Sequence, residues 1–94
     1  MNTRVSFEIA KLLKEKDEIF DVISTLDYPT IAEVVMWLHQ EHGIWIWVER
    51  YSSMFRPYAE ENGDERFGKW EGHKYSTPTE AYETVIIYTL KNLI

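Results

Sequence analysis

The spacing of apolar positions changes twice along the chain. It is helical up to about residue 42, alternating from Gly43 to about Tyr75, and helical again after Thr77. In the first region Ser6 is placed to cap a helix, with Val5, Ile9, Leu12 and Leu13 on one side of it. Ile19, Phe20 and Ile23 extend nearly the same stripe, and no Gly or Pro interrupts residues 6–26. The polar run KEKDE allows the helix either to stop near Lys16 or to continue toward Ser24. A second helix is better marked. Thr30 and Glu33 make a capping box, Ile31, Val34, Val35 and Leu38 form the stripe, and Gly43 supplies a left-handed stop.

The alternating region predicts three strands. The first runs from Ile44 to about Arg50. The second lies within Met54–Glu60, where Pro57 marks an edge or bulged strand. Asn62-Gly63 is a hairpin turn signal, and a third strand follows over about Phe67–Tyr75, weakened by Gly68 and Gly72. The last helix opens with Thr77 as cap, Pro78 in the first turn and Glu80 completing a capping box. Tyr82, Val85, Ile86, Thr89, Leu90 and Leu93 form its buried face, and Lys91 favours the dipole near its end. The expected fold is therefore a single α+β domain, residues 1–94: N-terminal helices, a three-stranded antiparallel meander and a C-terminal helix, with the helices on one sheet face.

The first strand departs from the usual pattern because both its faces are apolar. Ile44, Ile46 and Val48 are the natural inward set, which leaves Trp45, Trp47 and Tyr51 outward, with Tyr58, Phe67 or Tyr75 as neighbours according to register. Met36 points nearly opposite the Ile31–Leu38 stripe and Trp37 lies on its flank, so both are expected on or near the surface. Trp45, Trp47, Tyr51, Met36 and Trp37 form the candidate interaction surface. Two other readings stand beside it: coverage by loops or the N-terminal helix, and simple cross-strand stabilisation.

Charge narrows the choice of partner. Sixteen acids against ten Lys and Arg give −6, and the bases are scattered, which disfavours nucleic acid. The absence of cysteine excludes disulfides, thiolate zinc and a Cys nucleophile, and suits a reducing cytoplasm. The N-terminus is too polar for a signal peptide, and TVIIYTL is far shorter than the ~20 residues a membrane span needs. The expectation is a soluble, cytoplasmic protein that does not bind membranes.

Candidate chemistry is sparse. His39 and His42 are three apart in HQEH, which lacks the His-Glu-x-x-His spacing, and only Glu41 or His73 offers a third ligand. EENGDE fails as a calcium loop because counting back from Gly63 puts Tyr58 in the first ligand position, so it reads as a solvated hairpin tip. Glu49, Glu60 and Glu71 can converge across strands but need burial to do acid–base work. No phosphate loop or nucleophile elbow is present. No catalytic residue, metal or cofactor is assigned, and the balance is against an enzyme.

SFEIAKLLKEK, YPTIAEVVMWLHQEHGIWI and TPTEAYETVIIYTLKNLI together resemble a group of small uncharacterised proteins from gut anaerobes and their phages. The resemblance covers both ends and the middle helix. It implies a small α+β domain of phage or mobile-element type and carries no site residues. The expected function is a small acidic protein-interaction module, with a protein or a second copy as partner. The alternatives are a ligand-binding module that stacks a ring on Trp45 and Trp47, and an acidic phage protein that blocks a basic host protein.

Overall fold

Among the described residues three helices and a three-stranded antiparallel sheet form in the expected order. The computed structural model describes residues 3–16, 28–67 and 74–94. In it α1 spans Phe7–Lys16, α2 Ile31–His42, β1 Ile44–Tyr51, β2 Met54–Glu61, β3 Asp64–Phe67 and α3 Pro78–Asn92. The choice between a first helix ending at Lys16 and one reaching Ser24, with the placement of Ile19, Phe20 and Ile23, lies outside the described residues.

Each helix start is tied by a different arrangement. On α2 the full capping box forms: Glu33 N–H donates to Thr30 Oγ1 at 3.1 Å and Thr30 N–H to Glu33 Oε1 at 2.8 Å. On α3 only half forms. Glu80 N–H donates to Thr77 Oγ1 at 3.1 Å, but the Glu80 carboxylate accepts from the Ser76 hydroxyl at 3.1 Å, correcting the expected box. On α1, Ser6 is the cap, and its backbone N–H donates at 2.9 Å to Glu83 of α3, 77 residues away. The position that would close a local box is the apolar Ile9, so a carboxylate from a neighbouring helix takes that role. Gly43 ends α2 at φ 67°, ψ 23°, a left-handed geometry that a Cβ disfavours.

The sheet order is β1-β2-β3. Two-residue turns set the register: Ser52-Ser53 places Tyr51 opposite Met54, Trp47 opposite Tyr58 and Trp45 opposite Glu60. At the second turn Asn62 and Gly63 both have positive φ, 53° and 85°, as a tight hairpin turn requires. β3 starts directly after that turn, earlier than expected, and Tyr75 forms an isolated antiparallel bridge to Phe55. Residues 68–73, with Gly68 and Gly72, lie outside the described residues.

Pro57 is on the central strand, so of the two readings, edge or bulged strand, the edge falls and the bulge stands, at Ala59/Glu60 of the same strand. Phe55 exchanges both backbone bonds with Tyr75 at 2.8 Å, so its N–H points away from β1. Two residues on, Pro57 has the same orientation, and its missing donor also faces away from β1. Among the described residues β3 meets β2 only from Ala59 to Glu61, with a bulge between Ala59 and Glu60. The proline therefore sits where the β1–β2 ladder asks nothing of it.

α3 packs on β1 and β2, α2 on β1, and α1 on α3. The core joins Ile9 and Leu13 of α1, Val34 and Leu38 of α2, Ile44 and Ile46 of β1, and Val85, Ile86 and Leu90 of α3. Each such Leu or Ile contributes about 1.5–3 kcal/mol of burial. Thr89 is the one buried polar side chain among them, and its hydroxyl donates to the Val85 carbonyl of its own helix at 2.8 Å. No helix among the described residues is long and apolar enough to cross a membrane.

Candidate interaction face

The two-residue period puts Ile44, Ile46 and Val48 toward α3 and Trp45, Trp47, Glu49 and Tyr51 on the other side of β1. The register adds Glu60, Tyr58, Arg56 and Met54 from β2 to this outer face. Each aromatic residue of β1 meets a different partner there. Trp45 stacks on the His39 ring of α2, centroids 3.8 Å apart and planes 21° from parallel, yet stays 46% exposed. Trp47 stacks across the strand on Tyr58 at 5.0 Å and 11°. Tyr51, 52% exposed, lies under two cations, the Arg56 guanidinium at 4.7 Å and Lys74 Nζ at 4.2 Å from its ring centre. Along the strand the Trp45 and Trp47 rows are about 6–7 Å apart, and the Tyr51 row lies roughly 13 Å beyond Trp47, with the Glu49–Arg56 pair between them.

Tyr58 is the most enclosed member, 8% exposed. Burial raises its hydroxyl pKa above the ordinary phenol value, with Arg56 pulling it down and Glu49 pushing it up from the next row of the sheet. Arg56 Nε and His39 Nδ1 are buried without a hydrogen-bond partner among the described residues. The outer face is therefore a row of rings each held by a neighbour, with cations at the Tyr51 end and carboxylates at Glu49, at Glu60 and at Glu65 of β3, which pairs with Glu60.

Of the expected surface, Trp45, Trp47 and Tyr51 share this face. Met36 is 46% exposed and lies one turn before His39 on α2. Trp37 does not belong there. It is 6% exposed and part of the core, and the exposed His42 closes edge-on against it at 4.9 Å. The cause is angular: Trp37 sits only about 60° round the helix from Val34, and the buried arc of α2 is wide enough to take it in. Phe67 and Tyr75, offered as outer neighbours, pair with Ala59 and Phe55 on the α3 side instead, and Phe67 meets Tyr88 of α3 at 4.8 Å.

Glu49 and Glu60 do not converge. They lie four residues apart in register, roughly 13 Å, with the Trp47–Tyr58 stack between them. Glu71 and His73 lie outside the described residues. His39 and His42 turn to different tryptophans, and no group of three or more His, Asp or Glu able to hold a metal occurs among the described residues. The residues that sequence reasoning missed are His39, Arg56 and Lys74, which hold the rings in place. A fixed two-residue turn at Ser52-Ser53 would have named Tyr58 and Arg56, since it sets every pair in the hairpin. No family model, curated protein or solved structure matches the chain.

Proposed function

We propose that this protein is a small acidic protein-interaction module that binds a partner through the outer face of its sheet, with Trp45, Trp47 and Tyr51 as the contact residues. One observation carries the reading: the rings of this face are already fixed, the exposed Trp45 by His39, the half-buried Trp47 by Tyr58, and the exposed Tyr51 by Arg56 and Lys74. An anchor held before the encounter loses little rotamer freedom on binding, which favours recognition over incidental exposure. Ring stacking of a sugar or base fits less well, because Trp45 and Trp47 each give one ring face to a neighbour. A purely basic partner also fits less well, since the Tyr51 end carries Arg56 and Lys74 despite a net charge of −6. A cytoplasmic, phage or mobile-element setting completes the proposal. It rests on the cysteine-free composition and on the resemblance of the helical segments.

Sedimentation velocity over a concentration series tests the face, with the protein alone as its first candidate partner. Trp45→Glu and Tyr51→Glu alter exposed positions and should leave the circular dichroism melt unchanged while weakening association. A charge in the centre of such a contact is desolvated without a partner, so a loss of tenfold or more is expected. Wild-type association that both variants leave intact would remove the outer face from the proposal.

A further inference from the structure

We infer that the partner is a second copy of this chain, packed outer face to outer face with its strands reversed, about a two-fold axis that crosses the strands above the Trp47–Tyr58 row. This rests on the interaction-module reading and adds the occupant and its orientation.

The outer face carries two pairs of like charges, of opposite sign. Glu60 of β2 lies opposite Glu65 of β3. Tyr75 bridges Phe55 in the antiparallel sense, so one step along Lys74 comes opposite Arg56, and both cations reach the same Tyr51 ring. Like charges directly opposite one another on a sheet are destabilising. No ion pair within the chain offsets either pair: those among the described residues are Arg66–Glu61 and Lys91–Glu8. Glu49 lies opposite Arg56 on β1 but forms no ion pair with it.

The two like-charge pairs are placed symmetrically. On β2, Arg56 is two residues before Tyr58 and Glu60 two residues after it, about 6–7 Å to either side. A second copy laid over this row with its strands reversed brings its Glu60 over Arg56 and its Glu65 over Lys74, and the same contacts recur through the axis. Two arrangements that each cost stability in one chain become opposite-charge contacts between two. Running the axis along the strands would instead set Arg56 on Arg56 and Glu60 on Glu60. At −6 per chain, two copies repel over most of their surfaces, so the unpaired cations mark where a second copy can approach.

The apolar area comes from the two ends of the same face. Tyr58 is already enclosed and Trp47 half-buried, whereas Trp45 and Tyr51 are exposed. Strand reversal brings the Tyr51 end of each copy to the Trp45 end of the other. Matched charges of this kind fix orientation and exclude other registers, while the rings supply area.

Lys74 and Glu65 are both exposed, so their charges can be reversed without disturbing the core. Sedimentation velocity is run on the wild type, on Lys74→Glu, on Glu65→Lys and on an equal mixture of the two variants, with circular dichroism melts to confirm folding. The expected result is a wild-type dimer and self-association weakened by about tenfold or more in each variant, because each reversal turns two attractive contacts into repulsive ones. The mixture should recover the dimer, since each variant then meets the reversed charge of the other at both contacts. Variants that are weakened but not restored on mixing overturn the pairing of Lys74 with Glu65. Restoration of Lys74→Glu by Glu49→Lys instead overturns the orientation, because only an axis along the strands sets those two positions together. Variants that dimerise as tightly as the wild type, when Trp45→Glu and Tyr51→Glu do not, overturn the charge-matched packing and leave the outer face as a contact surface. A wild type that stays monomeric at the highest concentration overturns the second copy as occupant and leaves the module to a different protein.

Discussion

Replacing Glu83 tests whether the long-range cap on α1 stabilises the fold, and does so with a sign that depends on pH. The Ser6 N–H is partly buried and donates to Glu83 Oε2 at 2.9 Å. Glu83→Ala leaves that donor without its acceptor and removes the negative charge from the N-terminus of α1. A hydrogen bond to a charged group contributes about 1.5–3 kcal/mol net when enclosed. Discounted for partial exposure, the expected loss is about 1–2 kcal/mol, or roughly 5–10 °C in Tm for a domain of this size. Glu83→Gln keeps an acceptor and drops the charge, so it separates the bond from the ionisation. Burial raises the Glu83 pKa above its unfolded value, more than the Ser6 bond lowers it, with Glu8 adding to the rise. A raised carboxyl pKa means that folding favours the protonated form. The stabilisation is full below the unfolded value, near 4.5, and is lost as pH rises through the folded value. The wild type thus loses something between pH 4 and pH 7 that Glu83→Gln does not, and the Gln variant gains relative to the wild type over that interval. Urea unfolding followed by tryptophan fluorescence at both pH values measures this. An alanine variant within 0.3 kcal/mol of wild type, on the order of additivity error, would show that the cap is idle. A Gln variant that falls further behind at pH 7 would reverse the assigned cause of the shift.

Two further outcomes are expected. Thr30→Ala should cost about 1 kcal/mol by urea unfolding. Glu33→Gln should differ from wild type at pH 7 and converge on it toward acid: hydrogen bonds from the Thr30 backbone and then its side chain lower the Glu33 pKa, so its contribution is present above 4.5 and lost as pH falls through the folded value. Ser52, at φ 60° in the β1–β2 turn, pays for a left-handed backbone that glycine adopts freely. Ser52→Gly should raise stability by up to about 1 kcal/mol, set against the greater freedom glycine gives the unfolded chain, and a drop in Tm would count against strain at that turn.

Much of this fold could be read from local chemistry. Thr30, Glu33 and Gly43 bound α2 because a cap and a left-handed stop act within a few residues, and Asn62-Gly63 located the β2–β3 turn for the same reason. The misreadings involve neighbours distant in sequence. Pro57 marks an edge or a bulged strand because a proline denies one donor; β2 is bulged but not an edge, and only the pairing of Phe55 with Tyr75 shows on which side that donor lies. Trp37 reads as exposed when the Ile31–Leu38 stripe alone defines the buried arc of α2, but that arc is wider and takes Trp37 in. Glu80 matched the capping-box pattern, but Ser76, just outside the helix, competes for its carboxylate. Ser6 showed its cap in the sequence and concealed the second half of it, since nothing about Glu83 marks a partner 77 residues earlier.

The outer face follows the same division. That Trp45 and Trp47 share it needed only the two-residue period, which permits no other split in a regular strand. That they are held there needed register and helix placement: Tyr58 from across the turn, His39 from the helix before the strand. These holding contacts bear on what the face is for. If cross-strand stabilisation were its whole purpose, the rings would meet one another and close off their area, as Trp47 and Tyr58 largely do. Trp45 instead rests on a histidine and Tyr51 under two cations, and each keeps about half its surface in water, 46% and 52%. Burying that remaining surface is worth roughly 25 cal/mol for each Å², and a neighbouring molecule that reaches β1 gains it without having to order the rings first.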